Sequence, residues 1–367
     1  MKQLLKYLNL PELMKMNDGT PVTSANWEAR RAEILELLQT ELYGKLPPEP
    51  TEIAETGREV VEENELTVTE KADLRLTYEN GVYTYPVYLT LPKGVEKPAV
   101  IITIGITRDI PAMIRRANAI PDLVYTHGYA VATIYCADIA SDADSFDDGL
   151  PTVLFPEGRK DGDAGKLLIW GRCMSYVRTY LEQRGGFDLP NTVLAGCSRF
   201  GKTILASGLY DDRIRHVVSV CSGTGGTAIL RGKVGETVDS IVHYAPYWFC
   251  SKFLTYDGRT DELPFDAHFI VAAFAGRNLL LTGALEDYWC DPYFEMLAAI
   301  AGSPLHEAAG QPGFIYDGPH PVPGYRYPIP GDFFQEGNIG FTLRLGGHGF
   351  PAADWQKLVD FVDRRRV

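Results

Sequence analysis

The sequence predicts an α/β fold: a three-layer sandwich with a mostly parallel central sheet and an N-terminal antiparallel extension. Three observations carry this prediction. Short apolar runs recur from about residue 98 onward, each followed by a loop and most by a helix-like stretch. Buried parallel strands read this way, because crossover helices cover both of their faces. Residues 51–92 instead alternate apolar and polar, as half-buried antiparallel strands do. Finally, an apolar run at 192–196 turns through glycines straight into a helical pattern.

The elements follow in chain order. Residues 24–43 (SANWEARRAEILELLQTELY) predict an amphipathic helix opened by Ser24 as N-cap, and GKLPPEP breaks it. The extension occupies residues 1–95, and residues 96–367 form the core of one 367-residue domain. The core strands are AVIITIG (99–105), YAVATIY (129–135), TVLAG (192–196), HVVSVCS (216–222) and NLLLTG (278–283). The acidic, breaker-rich stretch 138–163 predicts a solvated surface loop. Asp142 and Asp144 suggest calcium, but the later glycine and the closing glutamate of an EF-hand are missing. Residues 307–335 are rich in Pro, Gly and aromatics and predict an ordered insertion. AADWQKLVDFVD (352–363) predicts a final helix.

Composition excludes several function classes. The formal net charge is −13, from 48 acidic against 35 basic side chains, which repels phosphate backbones and anionic lipid. Nucleic-acid and membrane partners are therefore not expected. No apolar stretch reaches the length of a membrane span. The start MKQLLKYLNL lacks the apolar segment of a secretory signal, so the chain as given is expected in the cytoplasm, or secreted if a signal was trimmed. The six cysteines form no CxxC pair or zinc-spaced cluster, which predicts reduced, mostly buried thiols.

The stretch Thr192–Leu205 admits two chemistries. Gly196 to Thr203 satisfies the P-loop pattern G-x-x-x-x-G-K-[ST]. Several strands precede it, however, and no strand ends in the acidic residue that would bind magnesium. The other reading is a nucleophile elbow, in which Ser198 sits on a sharp strand-to-helix turn above the sheet edge. Gly196 stands two residues before it. The glycine expected two residues after it is displaced by one, to Gly201. Chain order favours the elbow, because hydrolases of this shape present Ser, then acid, then His. The loop after NLLLTG carries Glu286 and Asp287, and a glycine-rich loop near the C-terminus carries His348. The bland readings are a helix-capping Ser198, surface cations at Arg199 and Lys202, a solvated Glu236 and a core Trp289. His127, His216, His243, His306 and His320 read as structural or surface residues, and His268 as a packing residue.

Gly196-Cys-Ser-Arg-Phe-Gly-Lys202 resembles the elbow of the glucuronoyl esterases, carbohydrate esterase family 15, and further segments resemble its bacterial members. Among them are Ser222-Gly-x-Gly-Gly226, Gly235-Glu-Thr237, Pro246-Tyr-Trp-Phe249, Glu286-Asp-x-Trp-x-Asp-Pro292 and Gly347-His348-Gly349. The resemblance implies an α/β-hydrolase fold without metal or cofactor. It implies hydrolysis of esters of (4-O-methyl-)glucuronic acid, as in lignin–glucuronoxylan links, with a glucuronoxylan-derived oligosaccharide as partner. It carries over Ser198 as nucleophile, His348 as base, Arg199 as oxyanion holder, Lys202 as a ligand of sugar hydroxyls, and Glu236 and Trp289 as the sugar site. The chain is expected to act as a monomer.

Three departures from the fungal pattern stand out. Cys221 occupies the position of the fungal acid, so the acid is expected in the later loop, with Asp287 first and Glu286 second. Gly349 follows His348 where fungal members carry the cysteine that pairs with the elbow cysteine, which leaves Cys197 unpaired. Phe200 replaces an asparagine. A general or acetylxylan esterase and a non-catalytic glycan-binding relative remain the alternatives.

Overall fold

The computed structural model describes residues 1–109, 119–316 and 327–367. Its strands are β1 (Glu52–Glu63), β2 (Thr67–Tyr78), β3 (Gly81–Pro92), β4 (Ala99–Gly105), β5 (Tyr129–Tyr135), β6 (Asp188–Cys197), β7 (His216–Val220), β8 (Asn278–Ala284), β9 (Phe333–Phe334) and β10 (Ile339–Arg344). They form one ten-stranded sheet in the order β1-β2-β3-β5-β4-β6-β7-β8-β10-β9. β5, β4, β6, β7, β8 and β10 run parallel. The antiparallel extension joins them where β3 pairs with β5 through Tyr88↔Thr133 to Thr90↔Val131. Glutamates crowd the edge strand β1, which discourages pairing with another chain.

The strands read as unbroken apolar runs because each face has its own core. Val100, Ile102 and Leu194 enter one core, and Ala99, Ile101, Val193 and Ala195 enter the other. The first face is covered by α2 (Lys166–Arg184), α3 (Arg199–Leu209) and α4 (Pro292–Ala308), and α1 (Trp27–Leu38) packs into the same core. The second face is covered by Asp122–Thr126 and α5 (Ala352–Asp363). This is the three-layer arrangement of an α/β-hydrolase.

Two local expectations need correction. The helix expected over 24–43 starts at Trp27, not after Ser24. Thr23, Pro21 and Asn26 tie up a preceding turn, in which the Thr23 N–H donates to Asn26 Oδ1 at 2.7 Å, so the helix proper opens later. The 138–163 stretch is not simply solvated. Ser141 and Asp142 turn inward, the half-exposed Asp148 accepts the Ser141 N–H, and the buried Lys166 ammonium donates to the Ser141 carbonyl. The described flanks of the 307–335 insertion are held by aromatic contacts, such as Phe314 stacked on Tyr316 at 5.5 Å. Residues 317–326, and with them His320, lie outside the described residues. Strand β10 is not among the strands the sequence pattern predicts. Its six residues precede the His348 loop and pair with β8.

Candidate active site

β6 delivers Ser198 to the carboxyl end of the sheet. There the chain turns within one residue into α3, and Ser198 takes φ 61° and ψ −128°. A non-glycine residue adopts that conformation only under strain, and such strain gathers at functional turns. The tightness explains the glycines. A Cβ on Gly196 would sit 2.5 Å from the Phe200 carbonyl oxygen, and one on Gly201 would sit 2.9 Å from the Ser222 Cβ. Gly201, three residues after the serine, therefore supplies the clearance that the general pattern places one residue earlier. Phe200 instead turns its ring edge-on to Trp170, centroids 6.3 Å apart.

The Ser198 hydroxyl makes no capping bond to its helix, which removes the capping reading. The P-loop reading also fails. The Gly196–Gly201 turn packs against its own carbonyls, and Lys202 points away into a buried ion pair. No phosphate cradle is left.

The Asp287 loop follows β8, and the His348 loop follows the neighbouring β10. His348 Nδ1 lies 2.7 Å from Asp287 Oδ2. An ionised carboxylate only accepts, so Nδ1 carries the proton and Nε2 is free to take one. Burial alone would raise the Asp287 carboxyl, but hydrogen bonds from the His348 ring and the Cys290 N–H outweigh it and bring its pKa to about 2. Glu286 is exposed, and its N–H donates to the Gly346 carbonyl at 3.0 Å. The imidazole therefore meets Asp287 and not Glu286.

The dyad and the elbow share one rim. The Ser198 N–H donates to the Val220 carbonyl at 2.9 Å. The next residue, Cys221, brings its thiol within 4.8 Å of both the Asp287 carboxylate and a His348 ring nitrogen. Cys221 is buried, with φ 46°, and its carbonyl accepts the Cys290 thiol at 3.1 Å. Burial raises the Cys221 and Cys290 thiols well above the ordinary range and Cys197 to about 12. All six cysteines are free.

Lys202 and Glu236 are both buried, with Nζ 3.2 Å from Oε2. Glu236 also accepts the Thr224 N–H at 2.8 Å and the Tyr244 hydroxyl. Lys202 is thus no surface cation, and Glu236 no solvated loop charge. Trp289 is no core residue. It is 48% exposed, with its ring 6.2 Å from Tyr244. The Glu236 N–H donates to the Trp289 carbonyl at 2.8 Å, which ties this rim to the Asp287 loop. Arg199 leans over the Trp248 ring, 5.3 Å from its centroid, and donates to Asp142. His268 is buried and holds the Pro11 carbonyl at 3.0 Å, a packing role.

Sequence reasoning passed over Lys233 and Glu295, and it placed Asp142 in a solvated loop, where the structure instead has its carboxylate accepting from Arg199. Lys233 donates to Thr224 Oγ1 and to the Cys290 carbonyl, and burial lowers its pKa. Glu295, fully buried on α4, accepts the N–H groups of Ser222 and Gly223, and burial raises it to about 8. A charged residue one helical turn inside an apolar helix was the available signal.

Comparison with known proteins points to one family. The family profile described as "Glucuronyl esterase, fungi" matches residues 78–310. Carbohydrate esterase MZ0003, from an unknown prokaryotic organism, is 32% identical over 98% of this chain and 90% of that protein. The 4-O-methyl-glucuronoyl methylesterase 1 of Wolfiporia cocos is 29% identical over 85% of this chain and 75% of its own length. A solved glucuronoyl esterase from Solibacter usitatus superposes with a TM-score of 0.84 at 27% identity, over 96% of this chain and 97% of that one. A promiscuous CE15 esterase from a marine bacterial metagenome superposes with a TM-score of 0.85 at 28% identity, over 96% of both chains. The chain belongs to the glucuronoyl esterase family, carbohydrate esterase family 15.

Proposed function

We propose that the chain is a serine carboxylesterase that hydrolyses esters of (4-O-methyl-)glucuronic acid, with Ser198, His348 and Asp287 as its triad. The observation that carries this reading is the 2.7 Å contact of His348 Nδ1 with Asp287, on the rim that holds the strained Ser198 turn. His348 Nε2 takes the hydroxyl proton as Ser198 attacks the ester carbonyl, and Asp287 stabilises the imidazolium that forms. Arg199 N–H, at the first position of α3, has no partner within its helix and faces the developing oxyanion together with its guanidinium. The alcohol leaves with the proton from His348. Water, activated by the same imidazole, then releases the acid.

The esterified carboxyl is neutral, so the net charge of −13 does not oppose binding. Lys202 and Glu236 offer a donor and an acceptor for sugar hydroxyls, and the half-exposed Trp289 offers an apolar face for the pyranose. The test compares methyl glucuronate, methyl galacturonate and a simple acetate ester, in wild type and Ser198→Ala. Glucuronate preference, lost in the variant, is expected. Preference for the acetate would make the protein a general or acetylxylan esterase, and no turnover at all would make it a glycan-binding relative.

A further inference from the structure

We propose that Asp142 is a positioning residue for the reaction: its carboxylate, clamped by Tyr247 and Trp248, holds the Arg199 guanidinium at the oxyanion site. The proposal rests on the reading of Arg199 given above.

Three donors converge on this one carboxylate. Arg199 Nη1 donates to Oδ2. Trp248 Nε1 donates to Oδ1 at 2.9 Å, and the Tyr247 hydroxyl donates to the same oxygen at 3.2 Å. The Tyr247 hydroxyl also reaches the Asp142 carbonyl, at 3.1 Å. The side chain is only 12% exposed. Both of its oxygens already accept hydrogen bonds from the protein.

The backbone that presents Asp142 is itself fixed. Trp170 Nε1 holds the Ala140 carbonyl at 3.1 Å, and Lys166 holds that of Ser141. Asp148 accepts both the N–H and the hydroxyl of Ser141. The anchors Lys166 and Trp170 stand on α2, and the ring of Trp170 also meets Phe200, the residue after Arg199. The carboxylate and the guanidinium are thus referred to the same rigid helix.

The physical need is clear. A cation at a helix N-terminus is mildly disfavoured by the helix dipole, and a free Arg side chain spends much of its time in other rotamers. A fixed carboxylate offsets the dipole and selects one rotamer before substrate arrives, as oxyanion stabilisation requires. The bond occupies Nη1, and a guanidinium has further N–H donors to offer an oxyanion. Trp248 adds a second constraint, because its ring lies under both cations of the site: Arg199 at 5.3 Å and Lys202 at 5.5 Å from the centroid. The Pro246–Phe249 segment and the acidic loop thereby acquire a shared role.

The test is a double-mutant cycle on methyl glucuronate, with Asp142→Asn, Arg199→Ala and the pair, and with thermal unfolding to confirm that each variant folds. Asp142→Asn is expected to lower kcat about 10- to 100-fold with KM changed by less than about threefold, and to add almost nothing in the Arg199→Ala background. Asp142→Glu is expected to recover part of the rate. An equal loss in both backgrounds would reveal a merely structural role, and a wild-type or raised kcat in Asp142→Asn would show that the carboxylate does not assist. Either result overturns the proposal. Wild-type kcat in Arg199→Ala would instead overturn the reading of Arg199, and the inference with it.

Discussion

Asp287 hydrogen-bonds His348 at 2.7 Å while its neighbour Glu286 faces solvent. The two carboxylates differ by one position along the chain and by everything in environment. Asp287→Asn keeps the shape but lets the amide donate to Nδ1, which favours the wrong imidazole tautomer. A fall in kcat of roughly 10⁴-fold is expected. Glu286→Gln is expected to stay within about threefold of wild type. Steady-state kinetics on methyl glucuronate check both, and equal losses would remove Asp287 from its assigned role.

Much of this was legible in the sequence, and the exceptions share a cause. β4 and β5 stand at the expected positions because a strand buried on both faces is simply apolar. The elbow was legible because Ser198 needs small neighbours, although Gly201 is shifted to fit against Ser222. The choice between Asp287 and Glu286 was not, since it depends on where β10 delivers His348. The pairing of Lys202 with Glu236, 34 residues apart, and the inward turn of Asp142 are tertiary events that no local pattern encodes.

Strain at the elbow gives a prediction on stability. Ser198 holds φ 61° and ψ −128°, a conformation that glycine adopts without penalty and alanine does not. Ser198→Gly and Ser198→Ala should both be inactive. The glycine variant is expected to be more stable than the alanine variant by about 1–2 kcal/mol, minus the entropy glycine returns to the unfolded chain. Urea unfolding measures the difference, and a glycine variant less stable than the alanine variant would show an unstrained turn.

The buried Lys202–Glu236 pair is expected to be costly to break from one side. Lys202→Met strands a carboxylate that keeps the Thr224 N–H and the Tyr244 hydroxyl but loses its cation. A loss of about 3–5 kcal/mol is expected. Adding Glu236→Gln should recover a substantial part of that stability without restoring KM, because the lysine donor is gone and a neutral amide replaces the charged acceptor for the sugar. Recovery of KM along with stability would argue that the pair only supports the fold.

Glu295 sets a pH dependence whose sign follows from its burial. Its carboxyl titrates near 8, against an ordinary value of 4.5, because burial disfavours the charge more than the Ser222 and Gly223 N–H groups favour it. Between those values the folded protein holds a proton that the unfolded chain has released. This group's contribution to stability therefore falls as pH rises from about 4.5 to about 8 and then levels off. Glu295→Gln cannot titrate and should lose that slope. From pH 5.5 to pH 8, wild type is expected to lose roughly 2–3 kcal/mol more than the variant in urea unfolding. Parallel stability curves for the two proteins would mean that Glu295 is already ionised at pH 5.5.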